Sequence, residues 1–303
     1  MPTLYGHIYS REKCSITRKE GRKMTVAGIL SGSKCWPTAR QLANTLNIVG
    51  YKHPTKRMLI RKDILIRWGF SGEPKIQPLV GYIGNTESIR LAADKLRALE
   101  VMKDSGVRVP EFGGRATLPN APVYIRTKHH FAGRGLQFVE NPQNSGSIHL
   151  PGWNHWVKAI TEPRTEYRVH VASGYLIHRQ RKLWQGENPE PGSVEDRVRN
   201  HGNGWRFCSK ATVKNDISIQ AKAAVKALGV EWGAVDILYL HDRGIAYVLE
   251  VNTAPALSEE SGSLRPYVGY LDSRISELSN ADDEEHMYYN QGSWAEEGEE
   301  MVE

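Results

Sequence analysis

Two apolar runs late in the sequence decide the expected fold: AVDILYL at residues 234–240 and IAYVLEV at residues 245–251. Both runs are rich in Val, Ile, Leu and Tyr, and most of these residue types favour β-strands. The four residues between them, HDRG at 241–244, contain a glycine near their end, as connections between adjacent strands often do. We therefore expect a β-hairpin at this position.

The register of this hairpin brings polar side chains together. If Leu240 pairs with Ala246, Asp236 lies opposite Glu250. Asn252 follows Glu250 by two residues, and side chains two residues apart on a strand share a face. The sequence therefore predicts three side chains with oxygen donors at one end of the hairpin.

The two carboxylates need partners of opposite charge. The rest of the hairpin is apolar, and like charges close together in such surroundings are unfavourable. A hard cation such as Mg²⁺ accepts carboxylate and amide oxygens and completes its coordination with water and phosphate. The alternative is that Asp236 and Glu250 pair with nearby Arg or Lys side chains in a structural network.

Several further segments have recognisable patterns. Residues 84–102 combine capping residues with apolar residues at three- and four-residue steps, which predicts a helix. Strands predicted at 122–126 and 136–139 flank a loop that contains glycine. Residues 185–204 are polar and lack apolar periodicity, which is unusual in a compact domain unless the loop covers a site.

Taken in order, these segments resemble those of the ATP-grasp ligases. VDIL at 235–238 and YVLEVNTAP at 247–255 are similar to that family's metal-binding hairpin, D-x-L followed by E-V-N-x-x-P. Residues 85–110 resemble its opening helix, and residues 123–136 resemble the strand, glycine-rich loop and strand that cover the triphosphate. The resemblance covers roughly residues 85–257. It is nearest to glutathione-synthetase-like and ribosomal-protein glutamate ligase-like enzymes, including ones encoded by bacteriophages.

The resemblance implies an α+β ATP-grasp fold, in which two α+β subdomains clamp ATP and a small α/β domain precedes them. We expect that N-terminal domain at residues 1–84, the first subdomain at 85–160, and the second, with the hairpin, at 161–279. Residues 280–303 hold nine acidic residues and no Lys or Arg, so we expect an acidic, disordered tail.

The same resemblance implies roles for individual residues. Mg²⁺, which Mn²⁺ could replace, would be held by Asp236, Glu250 and Asn252. The nucleotide would contact Lys95, Arg126, Lys128, Gly133 and Gly135 at its triphosphate, and the backbone of Lys158, Ala159 and Ile160 at its adenine. The groups facing the γ-phosphate and the acyl phosphate would be Arg168, Arg181, Lys182, Arg199 and Asn200. Arg126 stands where the family usually has lysine, and the adenine segment lacks the family's usual Gln-Glu pair.

The implied function is that of an ATP-dependent ligase that joins a carboxylate to an amine or thiol through an acyl phosphate. Either substrate could be carried on a peptide or a nucleic acid. Two other functions stay open. Outside the tail, 40 basic against 25 acidic residues leave a net charge of +15. This charge, together with the eight Trp and thirteen Tyr of the whole chain, also suits a nucleic-acid-binding protein. The other is a nucleotide-binding ATP-grasp scaffold without ligase activity.

Composition also bears on location. No apolar run approaches the ~20 residues that span a bilayer, and the N-terminal residues do not resemble a signal peptide. We therefore expect a cytoplasmic protein without membrane contact. The three cysteines form no CxxC pair, so neither a disulfide framework nor a zinc site is indicated. A homo-oligomer is compatible with the sequence.

Overall fold

The computed structural model describes residues 26–54, 62–72, 78–131, 134–186, 189–209 and 211–292. The strands are β1 (Ala27–Ser31), β2 (Val49–Lys52), β3 (Ile64–Trp68), β4 (Gly81–Ile83), β5 (Phe112–Gly114), β6 (Val123–Phe131), β7 (Arg134–Val139), β8 (Trp153–Lys158), β9 (Arg164–Ala172), β10 (Tyr175–Trp184), β11 (Trp205–Ser209), β12 (Trp232–Leu240) and β13 (Ile245–Asn252). The helices are α1 (Trp36–Thr45), α2 (Thr86–Ala93), α3 (Lys95–Asp104), α4 (Val194–Arg197), α5 (Asn215–Ala227) and α6 (Leu264–Gly292). No helix among these described segments is both long and apolar enough to cross a membrane.

The first sheet has the strand order β2-β1-β3-β4, and its strands are parallel. Parallel neighbours need a crossover connection, which α1 supplies between β1 and β2. Ile29 and Ile66 are fully buried in one cluster with Leu42 of α1. An α/β unit therefore precedes the other two sheets, as the sequence predicts.

This parallel sheet meets the end of the predicted hairpin just after β3. Gly69 has a φ of +61°, and a Cβ on it would lie 2.6 Å from the Cβ of Ala254. Trp68 stacks on Trp232, with 5.9 Å between ring centres. The first sheet thus lies directly against the chain that follows Asn252.

The second sheet is antiparallel, with the order β5-β8-β6-β7. On β6, Val123 and Ile125 are buried in one cluster with Trp156. Tyr124 and Arg126 alternate with them and therefore belong to the other face. That other face is the one turned toward the third sheet.

The third sheet is antiparallel, with the order β11-β10-β9-β12-β13. Val169 of β9 and Val235 of β12 are buried in one cluster with Ala221 of α5. Leu99 and Met102 of α3 belong to the same cluster. Residues from both sides of the subdomain boundary expected at residue 160 therefore share one core.

The hairpin is formed by β12 and β13, and Asp236 lies opposite Glu250 as predicted. At the turn, however, Leu240 pairs with Ile245 and not with Ala246. A register shift beside Asp236 adds one residue to β13, as a β-bulge does, and this restores the predicted pairing at the polar end.

Helix α6 continues through residues 280–292, where the sequence predicted a disordered tail. Buried Tyr267, Leu271 and Ile275 anchor its first part. Once a helix is anchored, each added residue gains a hydrogen bond at little further cost, and Ala, Glu and Met favour that extension. Residues 293–303 lie outside the described residues.

A buried histidine ties the third sheet to α6. His170 on β9 lies 3.2 Å from the hydroxyl of Tyr267 and 3.0 Å from the Oε1 of Gln180. Burial lowers the pKa of His170 from 6.5 to about 3; Gln180 opposes this shift, while Arg168 and His178 add to it. His170 is therefore neutral in the folded protein well below neutral pH.

The burial of His170 predicts a loss of stability on acidification. Below about pH 6.5 the unfolded chain binds a proton at this residue, which the folded chain excludes until about pH 3. The free energy of unfolding should therefore fall by up to about 1.4 kcal/mol per pH unit in that window because of this residue alone. Denaturant titrations at a series of pH values, on the wild type and on His170→Gln, measure the effect.

The His170→Gln variant should lose less stability than the wild type as the pH falls. Its matched control is His149→Gln, because His149 is exposed. That control should follow the wild-type pH dependence. Parallel curves for the wild type and His170→Gln would contradict the prediction.

Candidate active site

The face of the third sheet that turns away from α5 is polar. On β9, Glu166 and Arg168 alternate with Tyr167 and Val169, which are buried in the core with α5. Asp236 of β12 lies directly across from Arg168. We call this surface the polar face; it comprises Glu166, Arg168, Gln180, Lys182, Asp236 and Glu250.

Each of the two opposed carboxylates has a cationic partner. Arg168 binds Asp236 with two hydrogen bonds, Nε to Oδ1 at 2.7 Å and Nη2 to Oδ2 at 2.8 Å. Lys95, the first residue of α3, approaches Glu250 at 3.6 Å. Burial opposes the charge of Arg168, but Asp236, with Glu250 and Tyr267 adding to it, more than offsets this effect, so the pKa of the guanidinium is raised. The ion pairs considered as an alternative in the sequence are therefore present.

Arg126 approaches the same carboxylates from the second sheet. Burial lowers the pKa of its guanidinium, and the negative charge of Glu250 opposes that shift most strongly, with Glu166 and Asp236 adding to it. Its Nε is buried and has no hydrogen-bond partner in the described part of the chain. A buried N–H without an acceptor is costly, so this group is suited to an oxygen acceptor that a ligand brings.

Lys182 is held on the polar face by three groups. Its Nζ donates to the Oε2 of Glu166 at 2.5 Å and to the carbonyl of Arg199 at 2.8 Å. It also lies 4.8 Å from the ring centre of Phe207, and the guanidinium of Arg168 lies 4.1 Å from the same ring. Phe207 pairs with Lys182 across β10 and β11, so the edge strand positions both cations through one aromatic ring.

Residues 189–204, which we name the strap, lie between β10 and β11 in the chain and contact both the third and the second sheet. On one side, Arg199 donates to the carbonyl of Arg164 in β9 at 3.1 Å. On the other side, the hydroxyl of Tyr124 in β6 donates to the carbonyl of Arg197 at 2.5 Å. The strap therefore covers one side of the space between the two sheets.

The donors predicted for Mg²⁺ have the right chemistry for that ion. Asp236 and Glu250 supply carboxylate oxygens and Asn252 supplies an amide oxygen, all at one end of the hairpin. The Oδ1 of Asn252 accepts a hydrogen bond from the backbone of Ala254 at 3.0 Å, which orients the amide. Among the described residues, no group of three or more His, Cys, Asp or Glu side chains could hold a metal ion. A metal here would therefore depend on this mixed set and on oxygens from a ligand.

Comparison with solved structures identifies the architecture; neither a family model nor a curated protein matches the sequence. D-alanine-D-alanine ligase from Bacillus anthracis aligns with 86% of this chain and 99% of its own, at 17% identity and a TM-score of 0.61. The ATP-grasp ligase PsnB, in a complex with a minimal precursor, aligns with 84% of this chain and 99% of its own, at 12% identity and a TM-score of 0.57. VanG D-Ala:D-Ser ligase from Enterococcus faecalis aligns with 84% of this chain and 98% of its own, at 16% identity and a TM-score of 0.57. The chain has the ATP-grasp fold. At these identities the likeness establishes the fold alone.

Within this ATP-grasp fold, many of the predicted site residues lie on or beside the polar face: Lys95, Arg126, Arg168, Lys182, Asp236, Glu250 and Asn252. Arg181 does not join them. It pairs with Tyr167, whose side chain is buried on the α5 side, and it is exposed on that opposite face because side chains alternate along β10.

Two predicted residues lie in the strap. The carbonyl of Arg199 accepts from Lys182, while the Arg199 side chain bonds within the strap and to β9. The Oδ1 of Asn200 accepts from the backbone of Asn203 at 2.8 Å. Both side chains therefore hold the strap in place.

The glycine-rich loop between β6 and β7 is described in part. Gly135 has a φ of +78°, which favours glycine, and Gly133 lies outside the described residues. Lys128 extends from β6 to within 3.3 Å of the carboxylate of Asp94. Lys128 therefore links the second sheet to the junction between α2 and α3.

The segment expected to contact adenine follows β8. The backbone N–H groups of Lys158 and Ala159 donate to the carbonyls of Glu111 and Pro122, and the Lys158 side chain lies 2.8 Å from the Glu111 carboxylate. Ile160 continues the chain. The donors of Lys158 and Ala159 are therefore engaged in pairing with neighbouring segments.

Sequence reasoning did not assign Glu166, Phe207 or Tyr124 to the site. Glu166 had a signal, because it alternates with Arg168 on a predicted strand and so shares its face. Tyr124 had the same signal, because it alternates with Arg126 on a predicted strand. Phe207 had none, since its contact with Arg168 depends on the pairing of strands far apart in the chain.

The contacts of Arg199 predict that this residue anchors the strap. Replacing it with Met removes its hydrogen bonds to Asp196 and Arg164, each worth roughly 1 kcal/mol. Backbone amides between Asp196 and Trp205 should then exchange hydrogen about tenfold faster or more. Mass-spectrometric hydrogen exchange measures this.

The matched control is Arg181→Met, because Arg181 is exposed on the opposite face. It should leave the exchange of the strap unchanged. If Arg199→Met also left it unchanged, the anchoring role would be refuted.

Proposed function

We propose that this protein is an ATP-dependent ligase that joins a carboxylate to an amine. The observation that carries the proposal is the opposition of two carboxylates, Asp236 and Glu250, to the buried Nε of Arg126, which lacks an acceptor. A site for a metal-triphosphate complex requires acids that bind a hard cation and a cationic group that binds phosphate oxygens. The two carboxylates suit the first role, and the guanidinium suits the second. The ATP-grasp fold supports the same conclusion.

ATP would lie between the second and third sheets. Its triphosphate would contact Lys95, Arg126, Lys128, Gly133 and Gly135, and its adenine the backbone of Lys158, Ala159 and Ile160. Because the N–H groups of Lys158 and Ala159 bond the carbonyls of Glu111 and Pro122, these two residues would offer their carbonyl groups to the adenine. Asp236, Glu250 and Asn252 would hold Mg²⁺, or Mn²⁺ in its place. The metal, when bound, neutralises phosphate charge. Magnesium and ADP are present in one PsnB complex, and ATP in one complex of the Bacillus anthracis ligase, which supports this choice of ligands.

The reaction we propose has two steps at the polar face. The substrate carboxylate attacks the γ-phosphate of ATP, which gives an acyl phosphate and ADP. The amine then attacks the acyl carbon, and phosphate leaves. Arg168 and Lys182 offset the negative charge on the transferring group, and Arg199 and Asn200 position the strap over it. No side chain needs to act as a covalent nucleophile.

Exclusion of water is the task of the strap. An acyl phosphate exposed to solvent would hydrolyse before the amine could react. The strap already contacts both sheets, through Arg199 on one side and the hydrogen bond from Tyr124 on the other. It is therefore placed to retain the intermediate.

The substrates we propose are amino acids or peptides. Two of the structural neighbours are named for ligation of D-alanine with D-alanine or with D-serine, and a third is complexed with a precursor. The cations of the polar face suit a carboxylate substrate of this kind. The amine would be a free amino acid or a side chain or terminus of a peptide.

The function is tested by the dependence of ADP release on a carboxylate. The purified protein, ATP and Mg²⁺ are mixed with panels of amino acids and short peptides, and hydroxylamine is added to trap an acyl phosphate as a hydroxamate. We expect ADP release and hydroxamate formation to depend on the same carboxylate. If the protein bound ATP but released no ADP with any amino acid or peptide of the panels, the result would favour a scaffold. A salt-sensitive change in the gel mobility of nucleic acid, seen without ATP, would favour a nucleic-acid-binding protein.

Glu250→Gln should abolish most of the turnover while the fold persists. The variant loses one of the two carboxylates proposed for the metal, whose charge stabilisation is worth several kcal/mol, so ADP release should fall by roughly 100-fold or more. Circular dichroism checks the fold. Glu100→Gln is the control, because the Glu100 side chain is 41% exposed and pairs with Arg97 on the same helix; it should retain wild-type rates. A wild-type rate in Glu250→Gln would contradict the metal assignment.

Arg126→Met should weaken ATP binding. It removes the buried guanidinium proposed to bond a phosphate oxygen, and a hydrogen bond to a charged group is worth about 1.5–3 kcal/mol. The Kd for ATP, measured by calorimetry, should therefore rise about tenfold or more. Arg126→Lys keeps the charge and should recover part of the affinity. An unchanged Kd in both variants would show that the phosphates lie elsewhere.

A further inference from the structure

The ion pair between Arg168 and Asp236 engages both oxygens of the carboxylate. The two side chains lie directly across from each other on β9 and β12, and they are only 17% and 14% exposed. Both hydrogen bonds are short, at 2.7 and 2.8 Å. Bidentate contacts between arginine and carboxylate are strong and geometrically specific. Any metal that binds Asp236 must therefore compete with Arg168.

The second carboxylate is held differently. Lys95 approaches Glu250 through a single nitrogen at 3.6 Å and also lies 3.4 Å from the carbonyls of Ala92 and Val251. A lysine ammonium is a point charge without the fixed fork of a guanidinium. Of the two cations that form ion pairs with the predicted metal donors, Arg168 is therefore the stronger competitor.

Phe207 gives Arg168 a second attachment. The guanidinium carbon lies 4.1 Å from the ring centre, well inside the ~6 Å range of cation-π attraction. The ring is positioned by the pairing of β11 with β10, and this pairing does not involve Asp236. Arg168 can therefore release Asp236 and stay on the polar face.

We propose that Arg168 is the resident counter-ion of Asp236, which a divalent metal displaces, and that metal binding in the absence of nucleotide is weak for this reason. The displaced guanidinium needs a new anionic partner, and the phosphates of a nucleotide supply one. Metal and nucleotide would then strengthen each other's binding through one side chain. This inference rests on the role proposed for Asp236 in the ligase.

The test is Mn²⁺ binding to the full chain without nucleotide, followed by electron paramagnetic resonance. Arg168→Gln removes the competitor and should lower the Kd for Mn²⁺ about tenfold, which is about 1.4 kcal/mol. The matched control is Lys182→Gln, which removes one positive charge from the same face and the same aromatic ring but pairs with Glu166. The control should change the Kd by less than about twofold.

Two further variants keep the result interpretable. Arg168→Lys retains the charge without the bidentate geometry, so it should fold and lower the Kd by an intermediate amount. Adding Asp236→Asn to Arg168→Gln should reverse the gain, because the freed ligand is removed. Circular dichroism and thermal melts establish that each variant is folded.

An unchanged or higher Kd in folded Arg168→Gln and Arg168→Lys would overturn the inference, as would an equal gain in Lys182→Gln. The ligase proposal would stand in either case if carboxylate-dependent ADP release were present. Conversely, a tenfold tighter Mn²⁺ site in a protein that never releases ADP would support the counter-ion role and refute the ligase.

Discussion

The site depends on holding two carboxylates opposite each other on neighbouring strands. Like charges in direct cross-strand positions are destabilising, and partial burial of Asp236 and Glu250 makes the repulsion worse. The chain offsets this with cations from different elements, Arg168 from β9 and Lys95 from the start of α3. This requirement agrees with the position of α3, which packs into the core of the third sheet and so brings Lys95 within reach of Glu250.

Strand alternation lets one sheet provide both the core and the site. Along β9, Tyr167 and Val169 are buried in the core with α5, while Glu166 and Arg168 face the second sheet. A shift of β9 by one residue would therefore expose the core and bury the ion pairs at once. The register that stabilises the fold is the register that assembles the polar face.

The sequence predicts those features that depend on neighbouring residues. The hairpin and the pairing of Asp236 with Glu250 follow from a short turn and a period of two, and the bulge that shifts Leu240 onto Ile245 leaves that pairing intact. Side chains also alternate along β10, so Arg181 and Lys182 lie on opposite faces of the third sheet. The sequence would have distinguished them if it had shown which face of β10 is buried. The ATP-grasp fold was recognisable from segments in the right order.

Features that depend on distant residues were not predictable in this way. Tyr124 reaches Arg197 only because the strap lies against the second sheet. Phe207 meets Arg168 only because their strands, β11 and β9, pair with the two edges of the same strand, β10. The helix through residues 280–292 depends on the anchoring of its first part, which composition does not reveal. Such contacts leave no local pattern.

The basic residues of the polar face differ in how much of their charge is available to a ligand. Arg168 and Lys182 each bond a carboxylate, which neutralises part of their positive charge. They therefore attract an approaching anion only weakly until those bonds are broken. The buried Nε of Arg126 has no acceptor among the described residues, and burial disfavours the charge of its guanidinium. An anion at Arg126 would therefore relieve an existing cost. Of the three cations, Arg126 is therefore the one whose energetic cost an added anion would reduce most directly.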